Sequence, residues 1–414
     1  MDVRMEQGWH DAIAELIIGA QLCQPDELSA VVNTVTSPLG VDVTVFLVDL
    51  EQRELRPLPE RGKPLPDPLT VEGTLAGRVF TEIRAMPSPA SGTDPGRIWV
   101  PLVDGTERLG VIEVRLREDR DPFEDGLREQ CEILAGLLGH LIASKLPYGD
   151  LLHQVRRTRP ATPASELVMK LLPPLTFTCD RMVITATLEP SYEVGGDAFD
   201  YAVDESLARL MILDAMGRGM YASLTCAAAL SAIRSARRDY GDLYAMARAA
   251  DQVLLEQFTG TRFVTGLLAE LDLDTGLLRY LNAGHPPALV LRRGKLVHLL
   301  EGGRRLPLGL HDASIQVAEE QLEPGDDLLF YTDGITEAHP PGGEQFGLER
   351  LVDLAERHAL EEIPAPEKLR RLSQSVITHQ NGPPTDDATL MLLEWSAAAA
   401  HRAASITVTK EGRT

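Results

Sequence analysis

The residues that most restrict the fold of this chain are aspartates at the ends of strand-like runs. Asp197 follows two glycines in "EVGGDAFDY", Asp214 ends the apolar run "LMIL", and Asp333 follows "LLFYT". Asp386 and Asp387 stand immediately before the strand-like "ATLMLLEW". Each aspartate taken singly is explained by a turn, a bulge or a loop cap. Several such stretches in one region instead favour strands whose ends bring these carboxylates to one edge of a sheet.

Clustered carboxylates are typical ligands of hard divalent cations. Mg²⁺ and Mn²⁺ prefer oxygen ligands and usually keep several waters, and two such ions roughly 3.5–4 Å apart need a bridging group. Bound cations also attract phosphate, so a chain with a formal net charge of -22 could still bind an anionic substrate. The sequence therefore predicts a site for two Mn²⁺ or Mg²⁺ ions that activates a water molecule as nucleophile.

Length, composition and charge limit the class of protein. A chain of 414 residues predicts two or three domains, and 44% hydrophobic residues supply ample material for a core. The acidic balance argues against nucleic acid or an anionic membrane surface as the main partner. Four cysteines without a C-x-x-C pair indicate reduced thiols rather than a zinc or disulfide framework. Without an apolar run long enough for a signal peptide or membrane span, we expect a soluble, cytoplasmic protein.

Residues 1–145 predict a small α+β domain. "WHDAIAELIIGAQL" has helical spacing of apolar residues, and "VDVTVFLVDL" is typical of a strand. Thr74 is the expected N-cap of a helix, and Asp104-Gly105 the expected turn between two strands. A long helix is predicted from Glu124 to about Lys145. Its apolar face consists of Leu127, Cys131, Leu134, Leu138 and Leu141.

This order of elements, with the phrases "GTLAGRVF" and "VPLVDGTERLGVIEV", resembles a GAF-type sensory domain. The resemblance implies a domain that binds a small ligand or mediates dimers. The sequence contains no recognisable ligand signature, and Cys23 and Cys131 fit buried thiols better than cofactor attachments. The sequence does not decide between a homodimer and a monomer.

Residues 146–178 are predicted to form a connector. The segment begins with basic residues, and Thr162 as N-cap with Pro163 at the first helical position predicts a short helix to Leu172. The helix is interpreted as a linker that caps the next domain. A lever that transmits the sensory state is the open alternative.

Residues 179–396 predict one larger domain in which blocks of strands alternate with inserted helices. The expected helices are "MYASLTCAAALSAIRSARRDY", "LYAMARAADQVLLEQF" and "FGLERLVDLAERHAL". This pattern favours a β-sandwich flanked by helices, and places the whole chain in the α+β class. The tail 397–414 has few large apolar residues and is predicted to be disordered.

An ordered set of phrases resembles the bacterial PPM-type (type-2C-like) Ser/Thr phosphatases of the stage II sporulation protein E-like branch. The phrases are "EVGGDAFDY", "ILDAMGRGM", "NAGHPPALVL", "LPLGL", "LEPGDDLLFYTDGITEA" and "TDDATLMLLEW", within about residues 180–395. The resemblance implies an α-β-β-α sandwich with two Mn²⁺ or Mg²⁺ ions at one edge. It also implies a phosphorylated anti-anti-sigma-type protein as partner and substrate, and control by the upstream sensory domain.

Carried over residue by residue, the resemblance assigns the catalytic and metal-binding roles. Asp197 and Asp214 are expected to bind the first metal, with Asp214 bridging, and Ala215 to offer its backbone carbonyl. Asp333 and Asp386 are expected to complete the shell of the second metal.

Four further residues lie in or near the same phrases. Asp387 and Asp200 are close in sequence to the expected ligands Asp386 and Asp197, so they could also bind metal, directly or through water. Arg218 occupies a place where relatives often have histidine. Its side chain either contacts the substrate phosphate or is simply exposed to solvent, and both alternatives stay open. His285 in "AGHPP" is interpreted as structural, because the two following prolines suggest a rigid turn. No arginine is identifiable as a phosphate anchor.

The leading interpretation is a phosphoprotein phosphatase in which water attacks phosphorus in line, without a covalent enzyme intermediate. The sequence lacks the G-x-x-x-x-G-K-[ST] loop of NTPases and the H-E-x-x-H motif of zinc proteases. Two alternatives remain: a catalytically quiet sensor or scaffold that binds a regulator, and another two-metal hydrolase such as a nuclease.

Overall fold

The computed structural model describes residues 3–117, 120–124, 126–189, 192, 195–258, 261–310, 312, 316–382 and 386–403. It divides the chain into two compact units. The first runs to Thr158 and includes the described residues 401–403, and the second runs from Arg159 to Ala400. The segment predicted as a connector, 146–178, is therefore divided between the two units rather than standing apart from both.

The first unit is built on a six-stranded antiparallel sheet with strand order β3-β2-β1-β6-β5-β4. Its strands are β1 (Val41–Val48), β2 (Glu54–Pro57), β3 (Leu69–Thr70), β4 (Met86–Ser88), β5 (Arg97–Asp104) and β6 (Glu107–Leu116). Its helices are α1 (Val3–Leu22), α2 (Leu28–Thr36), α3 (Leu75–Glu82), α4 (Leu127–Lys145) and α5 (Leu151–Val155). One core forms between the sheet and α1, α2 and α4, and a second between the sheet and α3.

Local predictions for this unit are confirmed where they concern caps and turns. The Gly77 backbone N–H donates to the Thr74 hydroxyl at 2.9 Å, which makes Thr74 the N-cap of α3. Strand β5 ends at Asp104 and β6 begins at Glu107, so the turn lies where the sequence placed it. The Cys131 thiol is buried, and burial raises its pKa to about 12, as expected of a structural cysteine. The resemblance to a GAF-type domain stays a prediction.

Helix α4 begins later than predicted, at Leu127, and Leu141 is only partly buried. Ile142 and Ala135 instead fill the core beside the four predicted residues that are buried.

The second unit contains two six-stranded sheets and most of the remaining helices. Its strands are β7 (Thr176–Cys179), β8 (Met182–Glu189), β9 (Asp197–Asp204), β10 (Leu207–Ala215), β11 (Val264–Asp272), β12 (Leu277–Ala283), β13 (Leu289–Arg292), β14 (Lys295–Leu299), β15 (Arg304–Arg305), β16 (Ala318–Gln321), β17 (Asp326–Tyr331) and β18 (Ala388–Glu394). The helices are α6 (Pro163–Leu171), α7 (Gly219–Arg238), α8 (Leu243–Gln257), α9 (Asp333–Thr336), α10 (Leu348–Ala359), α11 (Ala365–Gln380) and the first four residues of α12 (Ala397–Ala403).

The two sheets pack face to face. One has the order β15-β12-β11-β10-β9, with β16 also paired to β12, and the other β14-β13-β17-β18-β8-β7. A large apolar core lies between them. Helices α6, α7 and α8 cover the outer face of the first sheet, while α10 and α11 contact the second. The predicted α+β class and the α-β-β-α sandwich are confirmed.

The short helix before the sandwich also forms as predicted. The Ser165 N–H donates to the Thr162 hydroxyl at 3.2 Å, and Pro163 is the first residue of α6. Among the described residues, no helix is both long and apolar enough to cross a membrane.

The prediction of a disordered tail is wrong for its first part. Residues Ala397–Ala403 form helix α12, and Ala399, Ala400 and Ala403 are buried. Alanine has the highest helix propensity of all residues, so a run of it needs few large apolar neighbours to form a helix. Residues 404–414 lie outside the described residues.

Candidate metal centre

Asp197 and Asp214 face each other across two neighbouring strands. Asp197 begins β9, Asp214 is the penultimate residue of β10, and they are paired in the antiparallel register. Residues paired in this way point to the same face of a sheet. The neighbours of Asp214, Leu213 and Ala215, pack on the helix side, so Asp214 points towards the second sheet.

The other predicted aspartates come from the second sheet. Asp333 is the first residue of α9, with only Thr332 between it and the end of β17, and Asp386 and Asp387 directly precede β18. Strands β17 and β18 are neighbours in that sheet. Burial raises the pKa of Asp214, and the negative charges of Asp333, Asp386 and Asp387 all raise it further. Five of the six candidate aspartates therefore lie together at one edge of the sandwich.

Asp197 is held by two hydroxyl groups that the sequence analysis did not identify. The buried side chains of Thr332 and Thr389 each donate to Asp197 Oδ2 at 2.7 Å. One carboxylate oxygen is thus fixed by the second sheet. Each threonine is adjacent in sequence, or nearly so, to a predicted ligand, in "YTDG" and "DDAT", which was the available signal.

Burial and mutual repulsion make the ionised form of these carboxyl groups costly. Burial, followed by the charges of Asp214 and Asp387, raises the pKa of Asp197 well above its usual value, although the two threonine hydroxyls oppose this shift. Burial and three neighbouring charges raise the pKa of Asp214 to about 7. Burial and the charge of Asp386 raise the pKa of Asp333.

The two glycines of "EVGGD" allow the loop to approach the end of β10 and the start of α7 closely. Their backbone N–H groups donate to Asp387 Oδ2, Gly195 at 2.9 Å and Gly196 at 2.6 Å. A Cβ atom on Gly196 would lie 2.8 Å from the Ala215 carbonyl oxygen, and one on Gly195 would lie 2.8 Å from the Gly219 nitrogen. Only glycine fits both positions without displacing backbone. Glu193 and Val194 lie outside the described residues.

Arg218 forms an ion pair with Asp386, at 3.1 Å between Nη2 and Oδ2. Both side chains are exposed. The pair places a cation beside the aspartate cluster, and contact of Arg218 with substrate phosphate stays a prediction.

Asp200 is not part of the cluster, and its assignment as an additional contributor is wrong. It lies three residues after Asp197 in β9, so the two side chains point to opposite faces of the sheet. Its buried carboxylate forms ion pairs with Arg234 at 2.6 Å and Arg237 at 2.9 Å on α7. Asp200 fastens the helix to the sheet.

His285 is structural, as predicted. It is buried, its Nε2–H donates to the Tyr331 carbonyl oxygen at 3.1 Å, and its Nδ1 accepts from the Thr265 hydroxyl at 2.9 Å. Burial lowers the pKa of His285 to about 3, so the ring is neutral. The residue joins β11 of the first sheet to the end of β17 in the second.

The donor set fits hard cations by type. Every side chain of the cluster offers carboxylate oxygens, the ligands that Mg²⁺ and Mn²⁺ prefer. Among the described residues, no three His, Cys, Asp or Glu side chains are already arranged to hold one ion. Asp386 is engaged by Arg218 and Asp387 by two backbone amides. A divalent cation would offset the repulsion that raises these pKa values. The number of ions and their ligands stay predictions.

Comparison with known proteins relates the second unit to one family. Residues 204–396 match the profile of the stage II sporulation protein E family. The chain is 27% identical to Protein IcfG of Synechocystis sp. over 41% of its own length and 31% of that protein. It is 25% identical to the phosphoserine phosphatase RsbU of Bacillus subtilis over 52% of its length and 63% of that protein. The chain thus matches less than two thirds of either relative.

Among solved structures, the SiaA-PP2C domain of Pseudomonas aeruginosa is similar with a TM-score of 0.48 and 24% identity. The match covers 56% of this chain and 94% of that domain.

Proposed function

We propose that this chain, whose residues 204–396 belong to the stage II sporulation protein E family of type-2C-like Ser/Thr phosphatase domains, is a metal-dependent protein phosphatase. Its reaction would be hydrolysis of phosphoserine or phosphothreonine on a regulatory protein. The observation that carries the proposal is the meeting of five aspartates from both sheets at one edge of the sandwich. The naming of one relative as a phosphoserine phosphatase supports the reaction class.

The residues at this edge have different roles in metal binding. Asp197 and Asp214 would hold the first of two Mn²⁺ or Mg²⁺ ions, with Asp214 shared with the second, and Asp333 and Asp386 would complete the shell of the second ion. When bound, such ions supply an activated water and neutralise charge on the phosphoryl group. Thr332 and Thr389 keep Asp197 in one orientation by their hydrogen bonds to Oδ2.

Asp387 has a different task from the other aspartates. Because its Oδ2 accepts hydrogen bonds from Gly195 and Gly196, it fixes the loop that precedes Asp197. The same loop lies against the Ala215 carbonyl, which we propose as a further oxygen ligand.

An exposed apolar surface beside the cluster supports a protein substrate rather than a small phosphate ester. Met216, Met220, Tyr221 and Leu224 are between 42% and 70% exposed. They lie in the loop after Asp214 and in the first turns of α7. Contiguous exposed apolar residues often mark contact sites for other proteins. We propose a phosphorylated anti-anti-sigma-type protein as the partner, and control by the first unit.

The proposal is tested by hydrolysis of p-nitrophenyl phosphate, a phosphoserine peptide and an oligonucleotide by the full chain. Each is measured with Mn²⁺, with Mg²⁺ and with chelator. We expect metal-dependent turnover of the aryl phosphate and the peptide but not of the oligonucleotide. Asp214→Asn should abolish it, and Asp180→Asn, at an exposed position, should not. Absence of turnover with every metal would contradict the proposal and favour a quiet binding protein.

A further inference from the structure

A second arginine lies beside the loop that follows Asp214. The Met216 N–H donates to the Phe263 carbonyl oxygen at 3.1 Å, so the pairing of β10 with β11 continues past the ends of both strands. Arg262 therefore stands next to Gly217. A Cβ atom on Gly217 would lie 3.8 Å from Arg262 Nη1, which places one guanidinium nitrogen beside this loop.

The surroundings of Arg262 hold its side chain, and its charge has no counterion among the residues that the structure describes. The guanidinium lies over the Tyr221 ring, 5.8 Å from the centroid, within the range of a cation–π contact. The residue is half-buried. The described part of the chain offers Arg262 no carboxylate within ion-pair distance, unlike Arg218, which is paired with Asp386.

This arrangement is unusual for so acidic a chain. Asp and Glu outnumber Lys and Arg by 62 to 40, and five aspartates crowd the adjacent edge. A half-buried arginine that no described carboxylate engages is available to an anion from outside the chain. Guanidinium donors match phosphate oxygens in geometry, often through two parallel hydrogen bonds.

We propose that Arg262 binds the phosphoryl group of the substrate, with Tyr221 holding its side chain in place. The inference rests on the proposed function and names a substrate-binding residue for it. The aspartate cluster is suited to cations, so phosphoryl oxygens that face away from the cations need a donor from the chain. Arg262 supplies that donor from the segment before β11, beside the loop that follows Asp214, although nothing in "TGTRFVTG" distinguishes it in sequence.

The test compares the full chain with Arg262→Gln, Arg262→Lys and Arg238→Gln. Arg238 is exposed and is the last residue of α7, about 28 Å from the start of that helix at 1.5 Å per residue. It is the matched control, because its variant removes the same charge far from the loop. The measurements are KM and kcat for p-nitrophenyl phosphate, inhibition by inorganic phosphate, and calorimetric titration of inorganic phosphate in Mn²⁺.

We expect Arg262→Gln to raise KM and weaken phosphate binding about tenfold, the effect of one charge-assisted hydrogen bond. The change in kcat should stay within about threefold. Arg262→Lys should retain part of the affinity, and Arg238→Gln should match the wild type. Manganese affinity and the melting temperature should be unchanged, whereas a merely structural role would alter one of them.

Wild-type KM and phosphate affinity in Arg262→Gln would overturn the inference. If Arg262→Gln fails to fold, Tyr221→Leu provides the second variant, and an unchanged phosphate affinity there would overturn the role of the ring. If the wild type shows no turnover, the proposed function fails, but phosphate titration still decides the inference. Arg262-dependent binding would support it, and absent or Arg262-independent binding would refute it.

Discussion

At the scale of single residues, Asp214 carries opposite demands from folding and from function. Its carboxylate is largely buried, faces Asp197 across the sheet, and is repelled by three further aspartates, which together raise its pKa to about 7. At pH 8 and without divalent metal, Asp214→Asn should therefore raise the melting temperature, because it removes one of several repelling charges. Melting in chelator followed by circular dichroism measures this effect.

Once metal is present, Asp214→Asn should lower the melting temperature relative to the wild type. Added Mn²⁺ stabilises a folded state that binds it, and the wild type should gain more than Asp214→Asn. Asp180→Asn should follow the wild type under both conditions. A variant that melts lower than wild type in chelator would show that repulsion at this position is not the dominant contribution.

Strand periodicity explains which aspartates could be assigned from the sequence. Asp197, Asp214 and Asp333 stand at strand ends, and the pattern of apolar runs was enough to predict where those ends lie. Asp200 was misassigned because nearness in sequence was given more weight than the alternation of faces along β9. The role of Thr332 and Thr389 could not be predicted from either residue alone. It depends on the packing of the two sheets, which brings both threonines to Asp197.

At the scale of elements, helix α7 presents an apolar face beside the aspartate cluster. Met220, Tyr221 and Leu224 lie on one side of its first two turns, since residues three and four apart are neighbours on a helix. Leu224→Ser should lower activity on a serine-phosphorylated anti-anti-sigma-type protein at least several-fold and leave hydrolysis of p-nitrophenyl phosphate unchanged. The substitution removes apolar contact area and does not alter the site itself.

Leu255 is the matched control for Leu224. It is also an exposed leucine on a helix of the same unit, α8. Leu255→Ser should leave activity on both substrates at wild-type values. Equal losses from the two serine variants would indicate a general effect on the protein instead of a docking surface at α7.

His285 links the sheets, and its buried neutral ring predicts a pH dependence of stability. Its pKa is about 3 in the folded protein and about 6.5 when unfolded, so between these values only the unfolded chain binds the proton. This residue therefore contributes a loss of stability as pH falls from about 6.5 to 3, approaching about 1.4 kcal/mol per pH unit. The site aspartates, whose pKa values are raised, contribute in the opposite direction over this range.

The contribution of His285 is isolated by comparing wild type with His285→Gln in urea unfolding between pH 4 and 8. The variant should be less stable at pH 8, because the hydrogen bonds to Thr265 and Tyr331 are disturbed. The difference in free energy of unfolding between wild type and His285→Gln should become smaller as pH falls. His10→Gln, at an exposed position, should run parallel to the wild type. A difference that is constant with pH would contradict a depressed pKa at His285.

Helix α11 shows where prediction from apolar periodicity stops. Its buried positions include Glu367, Lys368 and Arg370, which form ion pairs within the helix and with Glu394 of β18. A helix that buries charged residues in pairs has no clear apolar stripe, so the sequence did not predict it. The three other long helices of this unit, which bury mainly apolar residues, were predicted.

At the scale of the whole molecule, each unit has its own sheet structure and its own apolar core. The sequence predicted two domains from the change of pattern between residues 145 and 179. It did not predict where the division falls, because α5 and α6 follow each other closely in the sequence. The tertiary contacts of the folded chain place the division after Thr158.

The tryptophans allow the units to be observed separately. Trp9 and Trp99 lie in the first unit and Trp395 in the second, and all three are buried. In a Trp9→Phe/Trp99→Phe variant, fluorescence reports the second unit alone, whereas Trp395→Phe reports the first. Mn²⁺ at 100 times its dissociation constant should stabilise the second unit by about 2.7 kcal/mol and raise its unfolding midpoint. The midpoint of the first unit should not move, because the aspartate cluster belongs wholly to the second.

Equal shifts in both variants would mean that the two units unfold as one cooperative body. Metal binding would then be linked to the stability of the first unit, and linkage is reciprocal. A ligand of the first unit would in that case change metal affinity in the second by the same factor. Separate shifts would instead require control by the first unit to act on substrate access or on the orientation of site residues. The same titration therefore tests the placement of the metal site and decides which form of regulation the chain can use.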